Sequence, residues 1–147
     1  MASFLDDRLG PPQALSYYAN QIKKLSAGHR SVTIEMAQVQ LGDAVIYIAG
    51  INSSSSWNEA QRNLLRTWNV IAVEPNYRGQ LTRKNGGALH AEENMAAYIQ
   101  AIGGRGVRWS RAVVGACYDT KRGSRAYVCS VCRAIVNTVG GTIEPPF

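Results

Sequence analysis

Four residues of this 147-residue chain, His90, Glu92, Cys129 and Cys132, have the types and spacing that suit metal-centred chemistry. A neutral imidazole and two thiolates can hold Zn²⁺ and leave its fourth position open for water, which the metal acidifies toward hydroxide. Glu92 follows His90 by two residues on the opening turn of a predicted helix, so its carboxylate can approach that water and a leaving amine as general base and acid. These residues therefore predict a hydrolytic zinc centre in which Glu92 carries protons.

The segments His90-Ala91-Glu92 and Cys129-Ser130-Val131-Cys132 resemble the H-x-E and P-C-x-x-C signature of the zinc-dependent cytidine and nucleobase deaminase superfamily. Val128 stands where that family usually has a proline, which shapes the loop entering the helix and is not a ligand. The chain looks most similar to the small deaminase domains at the C-termini of bacterial polymorphic toxins. The resemblance covers residues 32–147, whereas the first thirty residues carry no recognisable signature.

The resemblance implies a cytidine-deaminase-like α/β/α sandwich with a mixed sheet, in which His90, Cys129 and Cys132 hold zinc and Glu92 is the proton shuttle. It implies that water attacks the ring carbon and that ammonia leaves. We expect the substrate to be cytosine in nucleic acid, with single-stranded DNA ahead of RNA, because a base must leave its stack to enter such a pocket. The toxin resemblance also implies a cognate immunity protein as a partner, and delivery within a larger secreted protein to a cytoplasmic site of action.

Other interpretations of the two motifs remain open. A C-x-x-C pair alone also suits a redox pair, half of a structural zinc site, or two buried thiols. A structural zinc site usually takes a fourth cysteine or histidine, and the sequence offers only Cys117, in an apolar run, and His29, in a polar loop. The open catalytic site is therefore favoured. The rival functions are a free nucleoside or nucleotide deaminase and a non-catalytic, zinc-structured module that binds nucleic acid.

Length and composition are consistent with one globular domain over residues 1–147, with residues 1–30 as a helical lead-in and residues 32–147 as the deaminase core. The chain has three cysteines, which argues against a disulfide scaffold and for a compartment where thiols stay reduced. No apolar run is long enough to span a membrane, and the start lacks the basic and apolar regions of a signal peptide. We therefore expect neither a membrane span nor a leader.

Positive charge is concentrated around the proposed centre. The segment from Arg78 to Arg133 has ten Lys and Arg residues against three Asp and Glu, a balance of +7, within a chain whose net charge is +6. The cations fall in segments that the sequence predicts to be Gly-rich or polar connections, where long side chains can face a polyanion. Lys121, Arg122 and Arg125, in the loop before the cysteine helix, are the candidate phosphate contacts. The competing interpretation is an ordinary basic surface.

Three further residues are candidates for contact with the substrate. Asn52 follows the second predicted strand and resembles in position the asparagine that many deaminases use on the sugar, although it also suits a turn. Trp57 and Tyr127 can stack on an extruded base. Core packing competes with stacking for both. Tyr77, Trp109 and Tyr118 can line a groove in the same way, but an aromatic beside an apolar strand more often lies in the core.

Periodicity predicts a hairpin followed by two metal-bearing helices with a strand between them. Alternating and apolar runs joined by Gly42-Asp43 give the hairpin, and Gly28 and Gly140-Gly141 end helices. The segment 52–87, between the hairpin and the first metal-bearing helix, is longer than a minimal deaminase connection requires. We therefore expect it to contain residues that select the substrate. The predicted helices are 11–25, 57–68, 90–102 and 129–139, and the predicted strands are 32–39, 44–51, 70–73, 111–118 and 142–144.

Overall fold

The computed structural model describes residues 13–26, 32–79, 82, 89–112, 118–119, 124–125 and 130–143. These residues form four helices and seven strands. The helices are α1 (Gln13–Lys23), α2 (Glu59–Thr67), α3 (Ala91–Ile102) and α4 (Ser130–Thr138). The strands are β1 (Ile34–Leu41), β2 (Ala44–Ile51), β3 (Val70–Ala72), β4 (Arg105–Arg111), β5 (Tyr118–Asp119), β6 (Ser124–Arg125) and β7 (Thr142–Ile143).

Five strands form one mixed sheet in the order β3-β2-β1-β4-β7. The central strand β1 is antiparallel to both β2 and β4, whereas the pairs β2–β3 and β4–β7 are parallel. Strands β5 and β6 pair with each other as a separate antiparallel ribbon. The mixed sheet confirms the α/β class that the sequence predicts.

The hairpin at the centre of the sheet forms as its alternation predicts. Gly42 turns the chain at a φ of 59°, a left-handed conformation that costs glycine little, so that Leu41 lies opposite Ala44. The register then runs without a break to the pair Ile34 and Ile51. Strand β2 therefore ends beside the start of β1, and the loop that follows β2 leaves the sheet at this point.

Helices cover both faces of the sheet. On one face, α1 and α2 contribute Leu15, Ile22 and Leu65 to a core that includes Ile34 and Tyr47. On the opposite face, α3 and α4 pack on a second core. Residues 37, 39 and 48 of the central strands point to this second face, because side chains alternate along a strand. The second core contains Ala37, Val39, Ile48, Val73, Met95, Ala96, Ile99, Trp109, Ile135 and Val136.

Helix α1 packs against the first core and the chain just before β1. Leu15, Ala19 and Ile22 are fully buried at the spacing of one helix face, against the first core. Lys23, at the end of α1, donates its Nζ to the backbone oxygen of Val32 just before β1. The helix is therefore attached to the sheet along its length and at its C-terminal end.

The third strand of the predicted core was placed wrongly. The structure has β4 at residues 105–111 instead of 111–118, so Arg105 and Arg108 lie in a strand and not in a polar connection. Residues 113–117 are outside the described part of the chain. Gly103 ends α3 at a φ of 70° and β4 begins two residues later, paired with β1 through a register shift between Gln38 and Val39. Arg105, Arg108 and Arg111 interrupt the apolar pattern of this strand in the sequence, which obscured its periodicity.

Candidate metal centre

His90 is the N-cap residue of α3, with an extended backbone that places it just before the first helical turn. Its backbone N–H donates to Oε2 of Glu93 at 2.7 Å, and its carbonyl accepts from the N–H of Glu93 at 3.1 Å. These reciprocal bonds satisfy backbone groups that a helix start leaves without intrahelical partners. Glu93 was not among the predicted site residues, and in the structure its side chain fixes the backbone of the proposed ligand His90.

Close packing against β2 sets the position of α3 relative to the sheet. A Cβ atom at Gly50 would lie 2.5 Å from Cγ and Sδ of Met95 and 3.0 Å from the carbonyl oxygen of Ala91. Only a residue without a side chain allows the first turns of the helix to lie this near the strand. Gly50 therefore determines how closely His90 and Glu92 approach the sheet.

Three of the predicted functional side chains converge at the starts of α3 and α4. Nδ1 of His90 lies 3.1 Å from Sγ of Cys132, and one potential ligand atom from each of His90, Glu92 and Cys132 lies within 4.8 Å of the others. Among the described residues this is the one group of three with the donor types and proximity for a metal ion. Glu92 and Cys132 are fully buried, and His90 is half-buried.

Helix α4 presents Cys132 from its first turn, as the third residue of the helix. Peptide dipoles and free N–H groups at a helix N-terminus favour a thiolate over a thiol, and the thiolate is the form that binds metal. The helix is held in place by Ile135 and Val136, which pack in the second core with Met95 and Ile99 of α3. Helices α3 and α4 thus share one hydrophobic core behind the cluster.

A thiolate and an imidazole are donors that zinc prefers, so the residues present suit this ion. The carboxylate of Glu92 can act either as another ligand or as a proton carrier beside the metal. The chemistry of the donor set therefore supports a metal centre and is compatible with zinc.

The other predicted ligand and most predicted phosphate contacts lie outside the described residues. This applies to Cys129, Lys121, Arg122 and the stacking candidate Tyr127. Arg125 lies in β6, where it pairs with Tyr118 of β5. Their roles stay predictions from the sequence.

Asn52 lies directly after β2 and its amide makes bonds within the protein. Oδ1 accepts from the backbone N–H of Thr33 at 2.9 Å, and Nδ2 donates to Oγ of Ser54 at 2.7 Å. These bonds fold the loop back against the start of β1. A contact between Asn52 and substrate stays a prediction, and it would use a side chain that the fold already orients.

Trp57 lies in the first core, on the face of the sheet opposite the cluster. It is 5% exposed, and its indole Nε1 donates to the carbonyl oxygen of Val73 at 2.8 Å. The structure gives Trp57 a packing role and does not bring it together with His90, Glu92 and Cys132. Trp109 is likewise buried, in the second core, and Tyr77 packs edge to face on Tyr98.

Polar residues that the sequence did not single out lie close to the start of α3. Ser53 bonds to the backbone of Leu89, and Asn94 donates to the carbonyl oxygen of Ile51. Glu35 is fully buried opposite Gly50, on the sheet face that carries α3. In the sequence, Glu35 stands out only as a polar residue between two apolar ones, and Asn94 only as a polar residue in a predicted helix. Neither pattern predicts which strand or helix these side chains contact.

No protein-family model matches the chain, and no curated protein matches it. None of the helices in the described ranges has both the length and the apolar character needed to cross a bilayer.

Proposed function

We propose that this protein is a zinc-dependent hydrolytic deaminase that acts on cytosine in nucleic acid, with single-stranded DNA as the preferred substrate. The convergence of His90, Glu92 and Cys132, with ligand atoms within 4.8 Å of one another, carries the proposal. The resemblance of the H-x-E and C-x-x-C segments to deaminases supplies the reaction. The same resemblance leads us to propose the cytidine-deaminase-like version of the observed α/β fold.

His90 and Cys132 would hold the metal, and Cys129 is proposed as the third ligand. Cys129 precedes Cys132 by three residues in the sequence, the C-x-x-C spacing at which paired thiolates commonly share a zinc ion. This assignment leaves the carboxylate of Glu92 available for proton transfer. A purely structural zinc site has no need of a buried carboxylate within reach of its ligands, and so the presence of Glu92 favours catalysis.

When bound, zinc supplies a Lewis acid that lowers the pKa of a water molecule toward neutrality. The carboxylate of Glu92 would accept a proton as the water oxygen bonds to C4 of the pyrimidine and the C4=N3 double bond opens, and it would pass that proton to N3. The same side chain would then move the remaining hydroxyl proton to the exocyclic amine, so that the C–N bond breaks, the C4 carbonyl forms and ammonia leaves. Cytosine plus water thereby becomes uracil plus ammonia. Full burial keeps Glu92 away from bulk water, which strengthens its electrostatic effect on charge developing beside it.

A nucleic-acid substrate is supported by the distribution of charge. The segment from Arg78 to Arg133 has the balance of +7. Arg133, which is exposed, follows the buried Cys132 directly on α4. Cations beside the mouth of a site raise the local concentration of a polyanion and contribute most of its non-specific affinity. From the toxin resemblance we further propose delivery to a target cell and inhibition by an immunity protein.

Zinc-loaded protein incubated with matched cytosine-containing substrates would test the proposal. The substrates are single-stranded DNA, duplex DNA, RNA and free cytidine, and the measurements are ammonia release and conversion of cytosine to uracil. We expect single-stranded DNA to react fastest. Reaction of cytidine alone would identify a nucleoside deaminase, and fastest reaction of RNA would change the preferred substrate. Absence of reaction with all four, despite bound zinc, would contradict the proposal and favour a non-catalytic module.

A further inference from the structure

We infer that Ser53 is a positioning residue for the metal centre, which it serves by clamping the residue that precedes His90. The inference rests on the proposed function, because it concerns the same site. Ser53 belongs to the four-serine segment 53–56, within the long predicted connection 52–87. The structure places this segment between the end of β2 and the start of α2.

Ser53 and Leu89 form a closed pair of hydrogen bonds across 36 residues of sequence. The N–H of Leu89 donates to Oγ of Ser53 at 2.6 Å, and the N–H of Ser53 donates to the carbonyl oxygen of Leu89 at 2.9 Å. Leu89 is fully buried and is joined to His90 by one peptide bond. Two bonds to one residue fix the direction of the backbone as well as its position, and burial of Leu89 limits competition from water.

The sheet holds Ser53 itself in place. Asn52 accepts from the N–H of Thr33 and donates to Oγ of Ser54, and the N–H of Ser55 donates to the carbonyl oxygen of Asn52 at 2.9 Å. The loop after β2 is therefore folded onto the edge where β1 begins. Through Leu89, this edge of the sheet determines where the chain enters α3.

A second tether secures the other side of the same turn. Nδ2 of Asn94 donates to the carbonyl oxygen of Ile51 at 3.0 Å, and Asn94 is fully buried. Together with the bond from His90 to Glu93, the contacts of Ser53 and Asn94 fix the backbone immediately before, at and after the proposed ligand. Hydrogen-bonded groups that orient metal ligands commonly contribute 10- to 100-fold to metal affinity.

Ser53→Ala removes the acceptor Oγ while the backbone bond to Leu89 can persist. We expect its zinc affinity to fall by about 10- to 100-fold, measured as zinc transfer to a chromophoric chelator, with little change in circular dichroism or Tm. Ser53→Thr, which keeps Oγ, should restore the affinity of the parent. Ser56→Ala is the matched control, since Ser56 is exposed in the same segment. Bound Co²⁺ should show altered visible bands in Ser53→Ala and unaltered bands in the control.

Equal affinity and equal cobalt spectra in Ser53→Ala and the parent would overturn the inference and leave the proposed function intact. Failure of the parent to bind zinc or cobalt would overturn both. Hydrogen exchange on the metal-free parent provides a test without substitution. A preformed clamp protects the amide of Leu89 before metal is added, whereas exchange at the rate of an unstructured chain would show that the clamp is absent.

Discussion

Nδ1 of His90 lies 3.1 Å from Sγ of Cys132, although 42 residues separate them along the chain. The contact joins the N-cap of α3 to the first turn of α4. Both helices reach this point because Met95 and Ile99 of α3 pack with Val136 of α4 behind it. The pair is therefore a product of the packed fold, and it makes Nδ1 the expected ligand atom of His90.

Removal of either member of this pair should abolish tight zinc binding. The parent is expected to bind about one Zn²⁺ per chain. His90→Ala and Cys132→Ala should each lose the ion on dialysis against a weak chelator, because the two protein ligands that remain hold it poorly. Elemental analysis gives the zinc content of each protein. Cys117→Ser is the control and should keep its zinc. Retention of zinc by Cys132→Ala would place the metal elsewhere.

Gly50→Ala should destabilise the fold and disturb the centre together. The added methyl group would lie 2.5 Å from the side chain of Met95, and overpacking of this kind typically costs about 1–3 kcal/mol in the free energy of unfolding. Met95→Ala in the same chain removes the opposing atoms. The double variant should be more stable than the sum of the single effects predicts, with a coupling of about 0.5–3 kcal/mol by denaturant titration. Strict additivity would mean that α3 does not contact β2 at this point.

The sequence predicted those parts of the fold that follow from local alternation. β2 has the predicted bounds, and the helix that carries Glu92 begins one residue after His90. Strand β4 was placed wrongly, because Arg105 and Arg108 interrupt the apolar pattern and its register depends on a shift opposite Gln38. Local pattern does not specify which partner a strand takes.

The candidate cluster was predicted from residue types, but its supporting contacts were not. The bonds of Ser53 to Leu89 and of Asn94 to Ile51 join positions 36 and 43 residues apart. A serine after a strand or an asparagine in a helix gives no indication of such a partner. Trp57 was a predicted stacking residue, but the structure buries it on the face of the sheet opposite the cluster.

The ion pair between Arg62 and Glu74 should give a small, pH-dependent contribution to stability. Its atoms Nη1 and Oε1 lie 2.9 Å apart, and the hydrogen bond from Arg62 lowers the pKa of Glu74. A lowered pKa in the folded state means that the contribution is present above the pKa of the unfolded chain and is lost as the pH falls through the folded value. Both side chains are exposed, so Glu74→Gln should cost about 0.5 kcal/mol or less near pH 7.

Urea titrations of parent and Glu74→Gln at neutral and acidic pH would measure this contribution. The difference between them should shrink on acidification as Glu74 of the parent becomes protonated. A difference that grew toward acidic pH would contradict the assigned direction of the pKa shift.

Neutralisation of Lys121, Arg122 and Arg125 to glutamine should weaken binding of single-stranded DNA and flatten its salt dependence. Each lost phosphate contact reduces the slope of log affinity against log salt by about 0.7, so three contacts would change it by about 2. The matched control neutralises three cations elsewhere in the chain, namely Lys24 just after α1 and Arg62 and Arg66 on α2. Affinities at several salt concentrations give the slopes. Equal slopes in the parent and the loop variant would favour a free nucleotide as the substrate.

The most direct test of the central claim compares Glu92→Gln with the parent in one assay. Zinc content and conversion of cytosine to uracil in single-stranded DNA are measured on the same samples. Because Glu92 is proposed to carry protons and Cys129 to complete the ligand set, the variant should keep its zinc and its fold. Its rate should fall by at least about 10²–10⁴-fold, the usual contribution of a positioned acid or base. Deamination at the rate of the parent, or loss of zinc from the variant, would contradict the assignment of Glu92 as the proton carrier.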